Sequence, residues 1–409
     1  MNDRTDLIVL DPNGTDIHGE AARIRARGRL CLVELPDKVR AWAITDPELL
    51  KDLLVDTRVS KDPRQHWPEF INGEITSSWP LYPWVSPVNM FNAYGADHRR
   101  LRRIIAPAFS SRRTEDMRAR IETITDDLLS ELAGTARGET VDLREAFAYP
   151  LPIRVIAELV GVPDHLYPLV RRCADELFDT SPRTAQQSEA NSARIYSLFA
   201  DLVAYRRAHP GDDMTSLLIS YREHDGSGLS EPELVGTLLL VISAGHETTV
   251  NLLDHAILAM LTHPDQHDAL RADKASWADV VEETLRLEAP AAYVPLRYAV
   301  EDIHIDGVTI AEGDPILISY VAANRDPHTY GPDADLFDAQ RTNKSHLAFG
   351  YGVHRCLGAP LARLEATIAL PALFDRFPDM RVAADSPAQL PTLNSFISNG
   401  HTTLPVHLT

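Results

Sequence analysis

The chain has few cysteines, an excess of acid over base and no long apolar run, and each shortage excludes a class of protein. Three cysteines, Cys31, Cys173 and Cys356, stand in 409 residues. An odd, sparse set is no disulfide scaffold. It cannot supply a four-thiolate zinc or iron–sulfur site either. Cys31 lies in the largely apolar run Leu30–Leu35 and Cys173 in a helical stretch, so both read as core or surface thiols. The formal net charge is -19. That acidity favours solubility and argues against a nucleic-acid partner, which would need basic surface to displace counterions. The most apolar stretch, Gly236–Gly245, is about ten residues long, half of the about 20 that a membrane span needs. Residues 1–20 carry Asp6, Asp11 and Asp16 and show no secretory pattern. The expectation is a cytoplasmic protein without a membrane anchor.

Apolar residues at 44% and charged residues at 24% are the proportions of a folded globule, and the length allows a large core. Leu30–Glu34 and Arg40–Thr45 read as strands around Pro36–Lys38. Thr45-Asp-Pro-Glu48 has the form of a capping box opening a helix through Leu49–Leu54. Three prolines between Trp79 and Pro87 forbid a regular helix, so that segment reads as a structured loop, either anchored on the core or covering a ligand. From His98 to about Tyr221 the pattern is largely helical, with polar Arg183–Asn191 as a mobile connection.

Ser230-Glu-Pro-Glu233 is a second capping box and starts the longest helix, towards His263-Pro264. It is apolar on nearly all faces, so it should cross the interior. Ala244-Gly-His-Glu-Thr-Thr249 interrupts it with polar groups that cost stability there, which marks a functional candidate. A helix over Trp277–Leu287, a hairpin at Asp306-Gly307, a strand at Pro315–Ser319 and an edge strand at Leu404/Val406/Leu408 follow. Helices dominate over a smaller strand-rich part.

The chemistry concentrates in Phe349-Gly-Tyr-Gly-Val-His-Arg-Cys-Leu-Gly358. Glycines permit tight turns and the close approach of a flat ligand. The helix Ala359–Leu370 that follows can aim its first amides at the sulfur, and His354 and Arg355 are adjacent; all favour thiolate. The residues alone leave three readings open: a metal ligand, a nucleophile or a structural cysteine.

This stretch resembles the haem-binding signature of cytochromes P450, with Phe349, Gly352, His354, Cys356 and Gly358 at its positions. Three further segments resemble the family in order: Ala244–Thr249 as the oxygen-activation segment, Glu283-Thr-Leu-Arg286 as the Glu-x-x-Arg pair, and Asn324-Arg-Asp-Pro327 with Phe337, Asp338 and Arg341 before the haem loop. The resemblance covers about residue 20 to the end and is nearest to bacterial, actinobacterial-like members. It implies a single catalytic unit over residues 1–409, mainly α with a smaller β-rich part.

By that resemblance Cys356 is the axial ligand of haem b, and His98, Arg102, Arg297 and His354 hold its propionates, beside Phe349 and Gly358. Arg341 joins Glu283 and Arg286 as a triad supporting the haem loop. Glu247 and Thr248 are the acid–alcohol pair that delivers protons to bound oxygen, whereas His246 points off that face and is no ligand. Val241, Ala244, Ala291, Ala292, Tyr293, Val294, Phe396 and Ile397 form the pocket wall, with Ser395 in the turn. The Trp79–Tyr94 loop and the helices near Leu166–Leu198 close the entrance. Arg99, Arg100, Arg103 and Arg355 offer a local basic surface to an acidic ferredoxin, served by its reductase. The implied activity is hydroxylation or epoxidation of a hydrophobic molecule such as a steroid, terpenoid or polyketide, in secondary metabolism. Oxidative coupling or peroxide use is the alternative, and a non-catalytic haem carrier or sensor the remote one.

Overall fold

Ser230 and Glu233 start the longest helix by serving each other's backbone. The Ser230 hydroxyl accepts from the Glu233 N–H, and the Glu233 carboxylate accepts from the Ser230 N–H at 2.8 Å. This satisfies donors that a bare helix end leaves orphaned. The helix then runs unbroken over Glu231–Thr262. Its polar interruption is absorbed locally: the hydroxyls of Thr248 and Thr249 donate to the carbonyls of Ala244 at 2.7 Å and Gly245 at 3.2 Å. Gly245 lets the helix Pro150–Val160 cross closely, because a Cβ there would lie 2.8 Å from Ile156 Cδ1.

The computed structural model describes residues 7–178, 184–223, 226–383 and 390–408. Residues 1–6 of the segment read for a leader and Arg183 of the polar connection lie outside them. The helices share one large apolar core. A second core lies under a six-stranded sheet in the order Ile8–Val9, Leu30–Glu34, Arg40–Ile44, Pro315–Ser319, Tyr293–Ala299, Val59–Ser60. The neighbouring strands Tyr293–Ala299 and Pro315–Ser319 run antiparallel with a register shift between Val294 and Arg297. Ala348, just before the cysteine loop, packs against both cores. The mainly helical reading therefore holds, and the Asp306-Gly307 hairpin forms with both residues at positive φ.

Four local expectations are corrected. The cap of the helix Pro47–Val55 is Asp46, whose carboxylate accepts from Leu49 N–H at 2.7 Å, while the Thr45 hydroxyl turns back to the Gly28 carbonyl. Tyr82–Val85 forms one helical turn inside the proline-rich segment, since proline fits the first turn. Trp79 anchors that segment: it is buried against Trp67 and donates to the Pro36 carbonyl at 3.0 Å. Thr184 and Gln187 form a capping box that opens the helix Ala185–Ala208 across the expected mobile connection. Finally, Pro405–His407 is the middle strand of three, between Arg381–Val382 and Thr140–Asp142, not an edge.

Candidate functional site

The cysteine loop is built for close approach. Gly350 and Gly352 both sit at φ 69°, and a Cβ on Gly352 would lie 2.7 Å from the Leu54 carbonyl oxygen. The turn brings the Cys356 N–H to the Phe349 carbonyl at 2.9 Å. Cys356 has exposed area and yet is deep in the protein, because that area belongs to the wall of an internal cavity. The N–H groups of Gly358 and Ala359 donate to its sulfur, and Arg102 and Arg355 add positive charge. These neighbours favour the thiolate, as expected, but burial outweighs them and pushes the thiol up. A cation on the sulfur would reverse that balance, as metal ligation deprotonates thiols.

Nitrogen-bearing basic side chains gather in this cavity. Arg102, Arg297, His354 and Lys61 line it, and His98 packs behind with its ring 4.0 Å from that of His354. Arg102 donates to the Arg355 carbonyl at 2.8 Å. His98 Nε2 and Arg297 Nε are buried without a hydrogen-bond partner. Burial, followed by the charges of Arg102, Arg297 and Arg99, lowers His98 to about 4. Buried positive groups with idle donors call for an anion rich in acceptors. A flat macrocycle carrying two carboxylates meets that need while presenting a metal to Cys356, so these residues fit haem. The cavity holds about 1390 Å³ of empty space, its open mouth included.

Facing the sulfur side, the long helix contributes Val241, Ala244 and Thr248 to the wall. Ala291 and Val294 line it as well, and Met90 and Phe91 arrive from the segment after Trp79. The register shift explains how Val294 and Arg297, three apart on one strand, reach the same cavity. Ala292, Tyr293, Phe396 and Ile397 do not line it. The Ala292 N–H donates to the Ile397 carbonyl at 2.7 Å, and the Tyr293 ring packs 5.8 Å from Phe396 within the sheet core. Ser395 shapes that turn by accepting from the Ile397 and Ser398 N–H groups. No described residue between 166 and 198 lines the cavity.

Glu247 turns away from its neighbour Thr248. Its carboxylate is buried, accepting from Arg144 at 2.9 Å and from the Ser398 hydroxyl at 3.2 Å. Arg144 also donates to Asn251 Oδ1 at 2.9 Å and stands 3.6 Å from Asp254. Sequence reasoning missed Arg144 and Ser398, because no local pattern signals a partner more than a hundred residues away. It also missed Lys61, which in Ser60-Lys-Asp-Pro63 looks like an ordinary turn charge. His246 is buried on the far face, with Nε2 3.3 Å from the Tyr149 carbonyl.

Glu283, Arg286 and Arg341 meet as a buried cluster. Arg286 donates to both Glu283 oxygens at 2.7 and 2.8 Å, and Arg341 Nε donates to Glu283 at 3.1 Å. The spare guanidinium donors go to carbonyls of Asn324, Ala334, Tyr330 and Asp333, so the short helix and turns before the cysteine loop are tied to one carboxylate. Of the four arginines expected on a docking surface, Arg100 and Arg103 are paired with Glu233 and Glu223 of the same chain, whereas Arg99 and Arg355 are exposed.

The comparisons agree with this arrangement. A family model described as Cytochrome P450 matches residues 156–276 and 277–394. The chain belongs to the cytochrome P450 family. It is similar to the 2-hydroxy-5-methyl-1-naphthoate 7-hydroxylase of Streptomyces carzinostaticus, at 46% identity over 98% of this chain and 97% of that protein. It is also similar to the 6-deoxyerythronolide B hydroxylase of Saccharopolyspora erythraea, at 36% identity over 90% of each chain. The solved structure of CYP154A1 from Streptomyces coelicolor A3(2) superposes with TM-score 0.93, at 53% identity over 98% of this P450 and all of that chain. The fold is thus the P450 fold and the class of enzyme a P450 monooxygenase, which carries a haem iron. Among the described residues no helix is long and apolar enough to cross a membrane.

Proposed function

We propose that this P450 hydroxylates, or epoxidises, a hydrophobic small molecule of steroid, terpenoid or polyketide type, using haem b, dioxygen and electrons from a ferredoxin and its reductase. The observation that carries the reading is the placement of Cys356 on one cavity wall and Thr248 on another, with an apolar space beside them. The printed activities of the relatives, on a naphthoate and on 6-deoxyerythronolide B, support an aromatic or polyketide-type substrate in secondary metabolism. The whole chain acts as one catalytic unit, and the cytoplasm is the compartment proposed for it.

Haem held at Cys356, when bound, supplies the oxygen chemistry. The protein's own task is binding, orientation and proton control. Cys356 donates charge through its sulfur, tempered by the Gly358 and Ala359 amides. Arg102, Arg297, His98 and His354 hold the propionates, and Phe349 shields the sulfur side. Thr248 offers a hydroxyl at the cavity wall to orient oxygen and water, while Glu247, held by Arg144 and Ser398, relays protons towards it. Arg99 and Arg355 remain free for an acidic electron donor.

The test is direct. The reduced, haem-loaded protein with carbon monoxide should show a thiolate-type absorption band, and Cys356→Ala should abolish it. With isotopic dioxygen, a reduced ferredoxin and a binding substrate, the product should carry one labelled oxygen atom. An intact protein without the band would overturn the reading.

A further inference from the structure

Lys61 is a buried lysine on the wall of the same cavity, and burial, followed by the charge of Arg297, holds it well below the ordinary lysine value. Its ammonium donates to the Pro295 carbonyl at 3.3 Å and stands 3.4 Å from the centre of the Phe91 ring. Neither contact carries net negative charge. Its sequence neighbour Asp62 is taken by Arg64 at 2.8 Å, and among the described residues no carboxylate pairs with Lys61. Arg297, buried on the same wall, adds a positive charge and an idle Nε. A ring face offsets part of the cost of taking an ammonium out of water, and a carboxylate beside Lys61 would hold its charge against that burial and the repulsion of Arg297.

We propose that Lys61 is a carboxylate-binding residue whose anion comes from a ligand in the cavity. The chemistry has two sources: a propionate of the cofactor, or the acid group of a hydrophobic substrate. The place of Phe91 makes the second source concrete. Phe91, Leu240 and Ala244 line both the main cavity and a smaller pocket bounded by Trp84, Asn89 and Ser243. A carboxylate on Lys61 would therefore fix one end of a ligand where the substrate space divides. The inference rests on the haem-thiolate reading above and names a ligand group for that site.

The experiment compares the haem-loaded wild type with Lys61→Met, which removes the charge and keeps the length, and with Lys61→Arg, which keeps the charge. One arm measures the rate of haem transfer to excess apomyoglobin. The other follows the ferric haem spectrum during titration with 2-naphthoate and with its methyl ester. If the cofactor is the source, Lys61→Met loses haem about tenfold faster, the loss of one modest charge-assisted contact. If the substrate is the source, Lys61→Met weakens 2-naphthoate about tenfold and leaves the ester within about twofold. Lys61→Arg stays near wild type in the arm that responds. Haem loss and acid-over-ester preference both unchanged in Lys61→Met would overturn the proposal. If the wild type binds neither probe, the haem-loss arm alone decides. Should Lys61→Met not load haem, Lys61→Gln replaces it. A wild type without the thiolate band would sink the functional reading instead, so the two failures are distinguishable.

Discussion

The guanidinium of Arg144 donates to the carboxylate of Glu247 at 2.9 Å, across 103 residues of chain and inside the helical core. The pair leaves Glu247 one residue from Thr248 in sequence but facing a different polar cluster. Arg144→Met should strip a buried carboxylate of its cation, at a cost of about 3–5 kcal/mol. It should also lower the product formed per electron consumed, since Glu247 would no longer be held in place. Denaturant unfolding and a product-to-electron ratio check both. Wild-type values for the two would mean that the pair is idle.

Thr248 tests proton control from the cavity side. Thr248→Ala removes a hydroxyl whose static duty is one bond to the Ala244 carbonyl, so haem content and stability should stay close to wild type. Reducing equivalents should instead drain into peroxide or water. Quantifying peroxide beside product during turnover separates the outcomes, and unchanged coupling would remove the assigned role.

Glu283→Ala would leave two buried guanidinium groups without their shared carboxylate. A loss of about 3–5 kcal/mol is expected, seen as a lower yield of haem-loaded protein. Any holoprotein that survives should turn over at a near-normal rate, because Glu283 lies outside the cavity wall. Normal yield and normal unfolding in this variant would contradict the structural duty given to it.

His246 predicts a pH effect with a defined sign. Burial, with smaller contributions from the charges of Arg144 and Arg171, lowers its ring to about 3 against the bond to Tyr149 that favours the charged form. The ordinary value is about 6.5. The unfolded chain therefore binds a proton first as the pH falls. Its contribution to stability is complete above about 6.5 and declines towards the folded value near 3. Between pH 6.5 and 5 the decline is about 2 kcal/mol. His246→Gln should lose that part of the slope. Unfolding free energies of both proteins at several pH values in this window decide it, and parallel curves would refute the assignment.

Much of the fold was legible because its signals are local. Ser230 and Glu233 announce a helix start from four residues, and Asp306-Gly307 announces a hairpin from two. The cysteine loop was legible because its glycines, histidine and cysteine lie within ten residues of one another. The cavity wall was harder. Alternation along a strand predicts faces only while the register is regular, and near Val294 it is not. Ala292, Tyr293, Phe396 and Ile397 were placed on the wall by resemblance alone, and the tertiary packing draws them into the sheet core instead. The partners of Glu247 and the isolation of Lys61 were invisible for another reason: each depends on groups brought together only by the tertiary fold.

The slipped step in the strand Tyr293–Ala299 has a consequence for how such an enzyme can change. It aims an aliphatic side chain, Val294, and a cation, Arg297, into one chamber from a single piece of backbone. Exchanging the aliphatic one for a larger or smaller neighbour can redraw the space for a new molecule while the guanidinium keeps its aim. Losing the slip at unchanged chain length would restore simple alternation and swing one of the two, three residues apart, into the opposite layer. Selectivity can thus drift by substitution at this spot, whereas loss of the slip would disturb cofactor grip and selectivity together.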